Sequence, residues 1–224
     1  MAILPVGETL PLLVEPDEMA PIESDCREYL VDVSNTFTCL EAYRNEGWQH
    51  AHQGTFLRSG VARRLLEVRA SLPFGFDLVI FDGWRSLGLQ SELFTAAYGD
   101  ANLPEGYLAP PSRDVQLPPP HVSGGTVDLT LSFEGTPLAL GTSFDSFTHE
   151  AHTLAFESDD TPVRRLRRLL CSAMWKQDFI VYEGEWWHFE YGTPRWAAIR
   201  EAPGCYQRAS LQDPVSFSPT DVNP

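Results

Sequence analysis

"PPPHVSGGTVDLTL", residues 118–131, decides how the rest of the chain is read. Three prolines favour an extended backbone up to His121. The two glycines that follow allow the chain to fold back. "TVDLTL" (126–131) then alternates, with Val127, Leu129 and Leu131 pointing one way and Thr126, Asp128 and Thr130 the other. The spacing predicts a half-buried strand with Asp128 on its polar face. The glycine turn lets that carboxylate approach His121.

Upstream of this stretch, "DLVIF" (77–81) is a short apolar run that reads as a buried strand. "DGWRS" (82–86) then turns the chain into a helix with Leu89, Leu93 and Ala97 on one side. Earlier still, "GTFLRSGVARRLLEVRASLPFG" (54–75) reads as a helix with Val61, Leu65, Val68 and Leu72 on one face, stopped by Pro73. Residues 99–120 are rich in Gly, Pro and Asp and read as a long ordered loop. Downstream, "PVRRLRRLLCSAMW" (162–175) reads as an amphipathic helix with Val163, Leu166, Leu170 and Met174 inward. Its four arginines are expected on a solvated face, paired with surface carboxylates. "FIVYEGEWWHFEY" (179–191) reads as two strands around a turn at Glu183-Gly184. These elements are expected to form one domain over residues 1–213. The tail, 214–224, has too few apolar residues to build structure of its own and is expected to drape or fray.

The chain has 224 residues, 43% of them apolar and 21% charged, which suits a globular protein with one sizeable core. Thirty-one acidic against sixteen basic residues give a formal charge of −15, so the chain repels nucleic-acid backbones and anionic membrane surfaces. "MAILPVGETLPLLVEP" (1–16) carries no Lys or Arg, and Pro5, Glu8 and Pro11 interrupt its apolar part. It reads as neither a secretory signal nor a membrane span, and a cytoplasmic location is the expectation. Cys26, Cys39, Cys171 and Cys205 are scattered without a C-x-x-C pair, so they read as four separate thiols rather than a thiolate metal site.

The chemistry is sought among six histidines. His121, Asp128 and His188 would make a set of two nitrogens and one oxygen, the ligand mix of a catalytic zinc site with one position left for water. Each alone reads better as a structural residue; the combination is what points to a metal. Glu185 lies three residues before His188. On a regular strand the two would face opposite ways, but Glu185 follows Gly184 and can swing toward His188 at a turn. There it would serve as the proton carrier of a hydrolysis. Arg85 would stabilise an oxyanion or simply pair with Asp82. His149 and His152 read as exposed, with His152 the one tempting fourth ligand for a structural zinc. His50 and His52 have no evident carboxylate partner and read as structural or exposed.

In order along the chain, "DGWRS", "HVSGGTVDLTL", "LGTSFDSF" (140–147) and "EGEWWHFEY" (183–191) resemble the signature blocks of the zinc D-alanyl-D-alanine dipeptidases of the vancomycin-resistance type. These are related to the DD-carboxypeptidases and to the hedgehog-like fold. The resemblance spans about residues 55–192. It implies an α+β fold with a central antiparallel sheet packed by helices. It also implies one zinc ion per chain on His121, Asp128 and His188, Glu185 as catalytic base, Arg85 as oxyanion stabiliser, and Asp145 holding the free amino group of a small cell-wall peptide such as D-Ala-D-Ala. Alternatives within the same fold are a DD-carboxypeptidase, another short-peptide peptidase, and a zinc-binding module without turnover. Four positions depart from the family pattern: Pro119 and Pro120 where a serine usually precedes the zinc histidine, Ser86 where proline follows the arginine, and Asn35 where a substrate-binding tyrosine is expected. The departures leave the substrate open.

Overall fold

A computed structural model describes residues 9–10, 13–99, 108–211 and 215–217. Most of the 1–16 stretch, residues 100–107 of the long loop, and residues 214 and 218–224 of the tail lie outside the described residues.

The strands and helices, in chain order, are β1 (Leu30–Asp32), β2 (Thr38–Cys39), α1 (Ala42–Asn45), β3 (Phe56–Arg58), α2 (Ser59–Ser71), β4 (Phe76–Asp82), α3 (Leu87–Gly99), β5 (Thr126–Phe133), β6 (Thr136–Pro137), α4 (Pro162–Trp175), β7 (Ile180–Val181), β8 (His188–Glu190), α5 (Pro194–Arg200) and β9 (Val215–Ser216). The larger sheet runs β2-β4-β5-β8-β7, with β6 beside β5. Its pairings are antiparallel except β2 with β4. A small second sheet has the order β3-β1-β9. The fold is α+β, as expected.

β5 is the central strand. Val127, Leu129 and Leu131 enter a core shared with Val61 and Leu65 of α2 and Leu166, Leu170 and Met174 of α4. The expected half-buried strand is corrected: Thr126, Asp128 and Thr130 are buried as well. The polar side of β5 faces other protein groups, not water. Thr130 Oγ1 donates to the Leu138 carbonyl, and Asp128 meets histidines and an arginine.

Other expectations shift as well. The 54–75 stretch is a strand followed by a helix, because Phe56–Arg58 pair with β1 before α2 begins. Leu72 is already extended, as a residue before proline must be. The strands of the 179–191 hairpin are shorter than expected, and residues 182–187 form the connection. On α4, Arg164 and Arg165 pair with Asp160, and Arg168 with Glu157, as a solvated face would. Arg167 does not belong to that face. It is buried, with Nε donating to the Leu140 carbonyl, Nη1 to His152 and Nη2 to Glu150, each at 2.7 Å. In the tail, β9 pairs in parallel with β1 and Phe217 is buried.

Candidate metal centre and its cavity

The triproline segment stays extended to Pro119, and Pro120–Ser123 form a single 3-10 turn that carries His121. Each glycine after it has its own reason. Gly124 closes the turn at φ +76°, a conformation strained for any side chain. Gly125 lies so close to the chain after β8 that a Cβ would meet the Tyr191 carbonyl oxygen at 2.5 Å. The turn is clipped to the end of β4 at two points. Arg85 N–H donates to the His121 carbonyl at 3.3 Å, and the His121 ring bonds through Nδ1 to the Gly83 carbonyl at 2.7 Å. His121 Nε2 therefore points the other way.

There it meets Asp128 and His188, which are directly paired across β5 and β8. His121 Nε2 lies 3.2 Å from Asp128 Oδ2, and His188 Nδ1 lies 3.1 Å from Asp128 Oδ1. The ligand atoms of the three residues all fall within 4.8 Å of one another, and all three side chains are buried. His121 Nε2 and Asp128 Oδ1 nevertheless make no hydrogen bond. Buried polar atoms this close normally pair. These aim at a shared point instead. Bonds of about 2.0–2.2 Å to a tetrahedral ion separate its ligand atoms by about 3.3–3.6 Å, and the two histidine–carboxylate distances of 3.2 and 3.1 Å are close to that. The donor set fits a divalent metal. His152 is not part of this cluster.

Both histidines are held from behind. His188 Nε2 lies 3.1 Å from Glu190 Oε1, and Glu190 in turn accepts a hydrogen bond from Thr193 and lies 3.4 Å from Arg195. A carboxylate behind one imidazole and a carbonyl behind the other is the arrangement that fixes tautomer and ring orientation in metal sites. Burial alone would disfavour the His188 imidazolium, but Asp128 and Glu190 outweigh it and raise its pKa to about 10 in the metal-free protein. Burial would likewise raise Asp128, but the two histidines hold it well below the usual carboxylate range. Glu190, buried but beside Arg195 and His188, falls to about 2.

Glu185 faces the same point. A one-turn bend, closed by His188 N–H donating to the Glu185 carbonyl at 3.2 Å, brings the side chains of this pair to one side. Glu185 Oε2 lies 3.5 Å from His188 Nδ1. Burial pushes its carboxyl up to about 8, against the opposing charge of His188. Arg85 makes the pair with Asp82 and also borders the cavity. Its Nε donates to Asp82 at 2.6 Å, and its Nη2 reaches Tyr43 Oη at 3.0 Å and Asp128 Oδ2 at 3.2 Å.

Asp145 accepts a hydrogen bond from Tyr43 Oη at 2.7 Å, and burial pushes its carboxyl up to about 7. Its backbone is left-handed, φ 55°, which an aspartate tolerates better than most residues. Aromatic packing holds it there. Phe144 stacks on Phe81 and packs edge-on against Tyr43 and Trp187, while Trp186 Nε1 donates to Thr142 at 2.8 Å. The tryptophan pair thus ties the Asp145 loop to the β7–β8 connection.

Sequence reasoning missed Tyr43 and Glu190. Tyr43 of α1, eight residues after Asn35, is a tyrosine that does border the cavity. Glu190 had a readable signal, since it sits two residues after His188 and shares its face of β8. His50 has the carboxylate partner it was expected to lack, Glu92 at 2.9 Å. His52 is exposed against Trp84, and His149 stacks on His152 away from the cluster.

The described residues around the cluster line a cavity of about 580 Å³. Arg85, His121, Asp145, Glu185 and His188 all border it, while Trp48, Leu93, Ala97 and Leu108 form an apolar side. A family profile described as D-ala-D-ala dipeptidase matches residues 43–203. The chain belongs to this dipeptidase family. A D-alanyl-D-alanine dipeptidase of Synechocystis sp. is 27% identical over 175 residues, 63% of this chain and 71% of the relative. The family match contains every residue of the cluster and of the Tyr43–Asp145–Arg85 network. It ends before the tail and begins after β1 and β2, so the small sheet is only partly within it. No helix among the described residues is long and apolar enough to cross a membrane.

Proposed function

We propose that this member of the dipeptidase family is a zinc-dependent enzyme that hydrolyses D-Ala-D-Ala to D-alanine. The observation that carries the metal reading is the pair of buried, unpaired ligand atoms on His121 and Asp128, converging with His188. The family match and the Synechocystis relative support the substrate class. His121, Asp128 and His188 would hold the ion, one per chain. Zinc there would supply Lewis-acid polarisation of a carbonyl and would acidify water.

The protein's own groups do the rest. Asp145, oriented by Tyr43, takes the substrate's ammonium and sets the peptide's register. A carboxylate facing that ammonium is left unpaired by an acylated peptide, which selects for a free dipeptide. Glu185 takes the proton of the attacking water and passes it to the leaving amine, a task suited to a carboxyl whose pKa lies near neutrality. Arg85, on the cavity wall, offsets negative charge developing on the former carbonyl oxygen.

The cavity volume favours one second reading, a peptidase for longer cell-wall peptides, because about 580 Å³ exceeds what a dipeptide fills. Replacing Glu185 tests the central role. Glu185→Gln should retain one zinc per chain and lose D-alanine release by about a thousandfold. A Glu185→Gln protein that still turns over at the wild-type rate would remove Glu185 from the mechanism.

A further inference from the structure

Two guanidinium groups border the cavity, Arg85 and Arg195. Arg85 is committed to Asp82, Tyr43 and Asp128 through good hydrogen bonds. Arg195, near the start of α5, is held differently. Its guanidinium lies 4.2 Å from the Tyr182 ring centre. Nε approaches Glu190 only to 3.4 Å, and Nη1 approaches Glu15 only to 3.6 Å. Neither contact is a hydrogen bond, yet both nitrogens are buried. A guanidinium is shaped to take a carboxylate with two parallel hydrogen bonds, and neither Glu190 nor Glu15 engages Arg195 in that way.

The placement suits such a ligand. Tyr182, Glu185, His188 and Arg195 belong to the wall built by the β7–β8 connection, β8 and α5. Tyr43, Arg85 and Asp145 border the cavity from α1, the end of β4 and the 140s loop. A dipeptide with its ammonium at Asp145 and its scissile carbonyl near the histidines extends onward by one residue, roughly 3.5 Å, before its carboxylate. Pro119 and Pro120, beside His121, offer that carboxylate no side-chain donor. We propose that Arg195 holds the C-terminal carboxylate of the substrate and so sets the enzyme's preference for a free acid at that end. The proposal rests on the dipeptidase reading above.

The test separates this role from support of Glu190 and His188. Zinc-loaded Glu185→Gln protein is titrated calorimetrically with D-Ala-D-Ala and with its C-terminal amide. The free acid should bind about 10- to 100-fold more tightly. Adding Arg195→Ala should bring the acid down to the affinity of the amide, with zinc content unchanged, and Arg195→Lys should keep part of the difference. Equal binding of acid and amide in the parent, or a loss shared equally by both ligands in Arg195→Ala, overturns the assignment. Wild-type protein that discriminates acid from amide but releases no D-alanine would overturn the hydrolysis reading and leave Arg195 in place.

Discussion

Arg167 and Arg85 are both almost wholly buried, but their partners differ in kind. Arg167 gives its N–H groups to four neutral carbonyls of the 140–153 segment and lies against Trp186 and Phe156. Burial pulls its pKa down to about 10, so it remains charged at neutral pH without a carboxylate partner. Arg85 lies among Asp82, Asp128 and a tyrosine hydroxyl beside the cavity, and their charge outweighs burial to raise its pKa. The first arrangement braces a loop. The second balances the charge of a cluster that is itself open to a ligand. The partner set, more than the burial, separates an arginine of the fold from an arginine of the site.

The sharpest way to break this comparison is Arg167→Ala. It removes the donors to the Leu140 and Glu150 carbonyls and one of the two on His152, opens a void beside Trp186, and should cost about 3–5 kcal/mol in equilibrium urea unfolding. A loss below about 1 kcal/mol would mean that the loop is held by its aromatic contacts alone. Arg85→Lys comes next, with the opposite signature. It keeps the charge and loses the planar fork, so kcat/KM for the dipeptide should fall about 100-fold, while the unfolding free energy changes by less than for Arg167→Ala. Wild-type turnover in Arg85→Lys would make Arg85 another brace.

Glu190→Gln probes the support behind His188. Zinc affinity, measured by competition with a chelator, should weaken about 10- to 100-fold. Unchanged affinity would show that the strand backbone alone orients the ring. The smallest effect is expected at Asp145. Its folded pKa, about 7, lies above the ordinary carboxylate value. The folded state therefore holds the proton longer than the unfolded chain, and stability falls as pH rises through that window. Asp145→Asn removes the decline, so its thermal midpoint relative to wild type should be higher at pH 8 than at pH 5. An equal difference at both values would mean that Asp145 ionises as if exposed.

Much of the site was legible because its residues sit on short local patterns. A histidine before Gly-Gly, an aspartate on the polar side of β5 and an E-x-x-H are each visible within a few residues, and the structure gathers them. What stayed hidden depends on distant packing. Tyr43 and Asp145 are 102 residues apart and meet only because α1 is laid against the 140s loop. Arg167 looks like its three neighbours on an amphipathic helix until the 140–152 segment wraps over it. Alternation told which side of β5 was polar, but not that this side faces a site instead of solvent. The 54–75 stretch shows a similar limit: helical spacing extended across Phe56–Arg58, and pairing with β1 overrode it.

The central claim is tested most directly by D-alanine release from D-Ala-D-Ala and from its N-acetylated form, measured side by side with metal-free and zinc-loaded protein. Zinc-dependent cleavage of the free dipeptide, with the acetylated form left intact, is the predicted result. Zinc-loaded protein that cleaves neither, or metal-free protein that cleaves the dipeptide equally well, would contradict the account.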